Sequence, residues 1–158
     1  MPLHEGSARL PGGQSVRLPA GLIDTGAILA LVDRNDRWHE SCVHAYNHNR
    51  LPWLTTEAVL TEAFHLVGRN LGDERAIWTL LHSGAVLMSS IANEELPQIH
   101  DLMAQYSDRP MDFADATLVH VATRERLSVV LTVDQDDFET YRLPRGKKFT
   151  VLPNWSRR

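Results

Sequence analysis

The chain has 158 residues, enough for one domain with a real core, since domains commonly run ~100–150 residues. A hydrophobic fraction of 43% and a charged fraction of 23% are ordinary for a globular protein, and no apolar run approaches the ~20 residues of a membrane helix, which excludes a spanning segment. The net charge of −4, from 16 Lys and Arg against 20 Asp and Glu, argues against nucleic-acid binding through a broad basic surface. It leaves phosphate chemistry open, because an acidic centre loaded with divalent cations reverses its own local field.

Residues 1–20, MPLHEGSARLPGGQSVRLPA, hold three Pro and three Gly and no apolar stretch of signal-peptide length. They read as a disordered leader or an upstream extension of the reading frame, with 21–153 as the domain and 154–158 as a short tail. The single Cys42 excludes an intrachain disulfide and suits a reducing, cytoplasmic setting. In its helical stretch it reads as a small packing residue rather than a nucleophile.

Along the chain, short apolar runs alternate with helical patterns. GLIDTG (21–26), WLTT (53–56), AVLMS (85–89), VVLTVD (129–134) and FTVL (149–152) are too short for helices and long enough for buried strands. In 57–67, Ala58, Val59, Leu60, Ala63, Phe64, Leu66 and Val67 form an apolar stripe that Gly68 and Gly72 end. A further helix is expected over 73–83, with acids in its first turn. Residues 92–106 open on an Asn93 cap candidate, with Pro97 marking the true helix start, and 112–127 are amphipathic. Strands separated by helix-length segments imply βαβ units and a mostly parallel sheet.

In such sheets chemistry collects at the carboxyl ends of strands, and two of the five expected strands end in an acid, Asp24 and Asp134. Glu62 lies mid-helix beside apolar Ala63 and Phe64. Asp112 and Asp115, spaced i, i+3 at a helix start, share one face. Taken singly, each has an ordinary explanation: Asp112 as a helix cap, Glu62, Asp136 and Glu139 as solvated surface. Their convergence points to a hard cation such as Mg²⁺, which takes oxygen ligands and relieves the repulsion among close carboxylates. Such an ion also activates water for attack on phosphorus.

The series LIDTGAILAL, TTEAVLTEAFHLV, PMDFADATLVHVATR and VLTVDQDDF resembles the PIN-domain family, including the VapC-type toxin ribonucleases, over about residues 21–153. The resemblance implies a three-layer α/β/α sandwich around a five-stranded parallel sheet and Mg²⁺- or Mn²⁺-dependent RNA cleavage. It places the four family acids on Asp24, Glu62, Asp115 and Asp134, with Asp112 as an accessory acid. Thr25 and Thr132 match hydroxyl positions beside the metal, and Asp137 matches a structural or outer-sphere acid. A homodimer and a small antitoxin partner are further implications.

Other residues carry weaker signals. Glu62-x-x-His65 has the spacing of a di-iron ligand pair, but no second such pair exists, and His65 reads as packing or cleft wall. His39 reads as a structural residue at a helix start. Arg145, Lys147 and Lys148 form the best local basic cluster for substrate phosphates, and Arg69, Arg109 and Arg142 are further candidates. Trp38, Trp53 and Trp78 read as core or dimer packing.

Three rival readings remain. LIDTGA, with VGRN at 67–70, also resembles a retroviral-type aspartic protease, an all-β dimer that the helical patterns here do not suit. A phosphate-accepting α/β domain would need an acidic pair and a late Lys that are not convincingly placed. A non-catalytic PIN-fold binding domain would not need the intact acid set.

Overall fold

A computed structural model of the chain describes residues 17–109 and 111–154. The expected leader therefore lies outside the described residues except for 17–20, and of the expected tail only Asn154 is described. The chain joins the body at Ala20, whose N–H donates to the Pro52 carbonyl at 2.8 Å.

All five apolar runs form strands: β1 (Leu22–Ile23), β2 (Trp53–Thr55), β3 (Val86–Met88), β4 (Val129–Leu131) and, last in the chain, β7 (Thr150–Leu152). They make one parallel sheet in the order β3-β2-β1-β4-β7, with Leu22 opposite Leu54 on one side and Val130 on the other. Helices cover the sheet to give the α/β sandwich. For this reason the strands read as continuous apolar runs rather than alternating ones. Leu22, Ile23, Val130 and Leu131 are fully buried. Gly21 sets the β1–β4 approach, since a Cβ there would stand 2.2 Å from the Val129 carbonyl oxygen.

The helices are α1 (Thr25–Val32), α2 (His39–Asn47), α3 (Glu57–Val67), α4 (Leu71–His82), α5 (Leu96–Gln105), α6 (Phe113–Glu125) and α7 (Gln135–Thr140). The 57–67 stripe is α3, capped by the Thr56 hydroxyl and ended at Gly68, whose φ of 56° suits glycine. Gly72 does not break the pattern as expected. Asn70 accepts from the Gly72 and Asp73 N–H groups, so α4 starts two residues earlier than expected. Asn93 is not a cap either: it opens a 3₁₀ turn, Asn93–Glu95, in which Glu95 reaches back to the Ala92 N–H. Helix α5 then begins with Pro97 in its first turn.

Three elements were not expected: α1, α7 and a two-stranded antiparallel hairpin of β5 (Arg142–Leu143) and β6 (Lys147–Lys148). Trp53 is core, as read. Trp78 is 45% exposed and rests on Phe64 and His82. The VGRN segment is the α3–α4 junction, and the parallel sheet rules out the all-β protease architecture. Cys42 is buried, its thiol pushed up to about 12 by that burial, as befits a packing residue. Among the described residues no helix is long and apolar enough to cross a membrane.

Candidate active site

Where β1 ends, the Asp24 backbone N–H still donates to the Leu131 carbonyl, so the sheet itself fixes this residue. Its side chain turns to cap α1. Oδ1 accepts from the Thr25 N–H at 2.8 Å, and Oδ2 accepts from the Thr132 hydroxyl at 3.0 Å. At 3% exposure, burial pushes this carboxyl up to about 7. The two hydrogen bonds pull it down, and the charges of Asp134 and Glu62 add to the rise.

The two threonines that flank the strand ends wire the acids together. The Thr25 hydroxyl donates to Glu62 Oε2 at 3.2 Å, drawing α3 to the end of β1. Thr132 Oγ1, which donates to Asp24, also accepts from the Asp134 N–H at 3.0 Å. Both threonines are buried, as hydroxyls with several partners at a strand end can be.

Asp115 arrives on the first turn of α6. Asp112 caps that helix, accepting from the Asp115 N–H at 2.8 Å, so the cap reading holds while Asp112 also lines the cleft. Helix α6 is tied to α3 by a buried 2.8 Å hydrogen bond between the Thr56 and Thr117 hydroxyls. Asp115 Oδ2 accepts from the Tyr141 hydroxyl at 2.8 Å. Burial, then the Asp24 charge, raises the Asp115 carboxyl to about 8 against the pull of Tyr141, with Asp112 and Asp137 adding to the rise. Burial of the Asp134 carboxyl raises it too, helped by Asp137 and Asp112.

These groups converge on a cleft of about 230 Å³ lined by six carboxylates, Asp24, Glu62, Asp112, Asp115, Asp134 and Asp137, and, among the described residues, by no basic side chain. At its rim the Arg109 guanidinium stands 3.4 Å from Asp137 and also donates to Thr140. Burial, with the charges of neighbouring acids behind it, raises the Asp24 and Asp115 carboxyls, and a divalent cation is the group that would offset both. The donor set is all oxygen, which suits Mg²⁺ or Mn²⁺. Among the described residues no three His, Cys, Asp or Glu side chains are drawn together as a direct ligand set.

The structure thus brings Asp24, Thr25, Glu62, Asp112, Asp115, Thr132, Asp134 and Asp137 together. It does not bring the basic cluster to them. Lys147 and Lys148 sit on β6, just before the amino end of β7, whereas the carboxylates lie at the carboxyl ends of β1 and β4. Arg145 lines a separate groove with His120 and Arg124. His65 is exposed and does not line the cleft, and the His39 ring is spent on the Ala30 carbonyl at 2.6 Å. Sequence reasoning missed Tyr141, which reaches Asp115 across 26 positions and carries no periodic signal of its own.

A parallel α/β sandwich with acids gathered at the carboxyl edge of its central strands defines the class. The PIN domain family model matches residues 21–143, and the chain belongs to that family. It is similar to Ribonuclease VapC26 of Mycobacterium tuberculosis (strain ATCC 25618 / H37Rv), 29% identical over 134 residues that span 84% of this chain and 99% of that one. Among solved structures it resembles Mycobacterium tuberculosis VapC20, titled a Sarcin-Ricin loop cleaving toxin. The TM-score is 0.61 at 20% identity, covering 69% of this chain and 85% of that chain.

Proposed function

We propose that the chain is a divalent-cation-dependent endoribonuclease, using Mg²⁺ or Mn²⁺, and the toxin of a toxin–antitoxin pair acting in the cytoplasm. The observation that carries this is the cleft itself: six carboxylates with no basic side chain among them, in a PIN-family chain whose relative is named a ribonuclease.

Asp24, Asp115 and Asp134 would hold the cation, directly or through water. When bound, the cation supplies charge neutralisation at the phosphate and a more acidic water. Thr25 holds Glu62 over the cleft, where its carboxylate accepts a proton from the attacking water. Attack on phosphorus with departure of the 3′ oxygen leaves a 5′-phosphate and a 3′-hydroxyl. Thr132 and Tyr141 keep Asp24 and Asp115 in place, and because Tyr141 bonds Oδ2 of Asp115, Oδ1 would be the oxygen that meets the ion or its water. As a homodimer with a small antitoxin, the protein would be silenced by an Arg or Lys of the partner reaching these acids.

The test is cleavage of single-stranded RNA in Mg²⁺, Mn²⁺ or EDTA by wild type, Asp24→Asn and Asp115→Asn. Wild type cleaves with either metal and stops in EDTA, and both variants lose about a hundredfold or more, the scale on which removing charge-stabilising groups acts. Equal cleavage by all three proteins would contradict the assignment.

A further inference from the structure

Beside the carboxylate cleft lies a second concavity of about 470 Å³, whose walls include Arg109, Gln135 and Asp136, and Asp134 and Asp137 line both spaces. Among the described residues lining either space, Arg109 alone has a cationic side chain. We infer that Arg109 holds the RNA phosphate next to the scissile one and so sets how the strand lies across the cleft. The inference rests on the ribonuclease reading and adds a substrate-binding residue to it.

The fold puts this guanidinium between two acid-bearing segments. Arg109 lies between α5 and α6, shortly before the Asp112 cap, and its backbone N–H donates to the Tyr106 carbonyl. Its side chain crosses to α7, the helix that follows Asp134. There Nη1 donates to the Thr140 hydroxyl at 2.8 Å, and Nη2 lies 3.4 Å from Asp137 Oδ1. A guanidinium carries five N–H donors in a planar fork, and among the described residues these contacts engage two of them. The bond to Thr140 orients the plane. The contact with Asp137 is long, single and between half-exposed side chains, so it holds loosely. The unused donors are thus presented in an orientation already set, which lowers the ordering cost of binding.

Charge decides what those donors meet. Asp134, Asp136 and Asp137 share the wall, so a polyanion enters this groove only where a cation offsets them. The divalent ion would do so at the scissile phosphate inside the cleft, and Arg109 does so one step along the strand. Its fork can take two phosphate oxygens at once. Other arginines are committed or placed elsewhere. Arg124 serves Glu95, Glu125 and Ser89, Arg142 turns back on the carbonyls of Glu139, Thr140 and Tyr141, and Arg145 lines the separate groove.

The probe is a short single-stranded oligoribonucleotide whose scission point is mapped with wild type and Mn²⁺. It is then remade with one uncharged methylphosphonate at a time at the phosphates flanking the cut. One position should raise KM about tenfold in wild type, the loss expected of one charge-assisted hydrogen bond. Arg109→Gln should raise KM for the unmodified oligonucleotide by a similar factor, with the loss falling on KM rather than kcat, and should abolish that methylphosphonate penalty. It should also lower the slope of log KM against log salt by about 0.7, the share of one phosphate contact on a single strand. Arg109→Lys keeps the charge and loses the fork, so the salt slope should stay while KM rises in part. Arg145→Gln makes the same charge change in the separate groove and should leave KM unchanged. The Mn²⁺-induced rise in melting temperature should be the same in Arg109→Gln as in wild type, and its loss would mean that Arg109 only braces the acids, which overturns the contact. An unchanged KM in Arg109→Gln, a methylphosphonate penalty that persists in it, or an equal rise in Arg145→Gln overturns the contact while leaving the ribonuclease reading intact. If wild type does not cleave, fluorescence anisotropy of the labelled oligonucleotide with Mn²⁺ decides instead. Binding about tenfold weaker in Arg109→Gln but not in Arg145→Gln supports the contact, and equal binding overturns it.

Discussion

The Tyr141 hydroxyl donates a 2.8 Å hydrogen bond to Oδ2 of Asp115, and the ring that carries it is itself buried, edge-on to Tyr106 and Phe138. A packed aromatic cluster thereby sets which way an active-site carboxylate points. Removing the hydroxyl with Tyr141→Phe keeps the packing and deletes the bond, at a cost of about 1 kcal/mol in stability. Because the bond favours the ionised form, the Asp115 carboxyl of the metal-free variant should titrate above its wild-type value of about 8. Carboxyl NMR titration checks this, and an unmoved or lowered value would show that Tyr141 does not act on Asp115.

The metal-free protein should become less stable as pH rises. Asp24 and Asp115 titrate near 3.8 when unperturbed and near 7 and 8 in the fold. Between those values the native state holds protons that the unfolded chain has released, so the unfolded chain gains. The contribution of these carboxyls is fully favourable below about pH 4 and declines until about pH 8. Thermal melting in EDTA should show Asp24→Asn with a flatter pH dependence than wild type, and higher melting at pH 8. Parallel curves would mean that the acids are not in conflict.

Thr132 joins two acids through one hydroxyl. Thr132→Val keeps the shape but leaves Asp24 Oδ2 and the Asp134 N–H without that partner. The expected loss is about 1–3 kcal/mol in urea unfolding, with Thr132→Ser restoring most of it. If Val were as stable as Ser, the bridge would carry no energy.

Gly26 gives a test of packing under the site. A Cβ there would come 2.3 Å from Val133 Cγ2, so Gly26→Ala forces α1 away from the loop that carries Asp134. It should destabilise by about 1–3 kcal/mol, and Val133→Ala in the same chain should recover part of that. Additive losses in the double variant would contradict this close contact.

Much of this site was legible in the sequence because it is local. A strand-end Asp and a helix-start Asp pair announce their own backbone positions, as Asp24, Asp112 and Asp115 do. The five strands were legible for the same reason, since sheets covered on both faces leave unbroken apolar runs. What escaped depends on long-range docking: Tyr141 meeting Asp115, and Thr25 meeting Glu62 across 37 positions. Short helices such as α7, at six residues, are too brief to show a helical period, and the RGKK hairpin shows none. The family resemblance supplied Glu62, which as an exposed helix residue says nothing by itself.

The central claim is that mutually repelling carboxylates are reconciled by a divalent cation. Its most direct test is thermal melting of wild type and Asp115→Asn at pH 8, with and without Mn²⁺. Metal-free Asp115→Asn is expected to melt above metal-free wild type, and Mn²⁺ to raise wild type by clearly more than the variant. Equal Mn²⁺ shifts in the two proteins, or none in wild type, would contradict it.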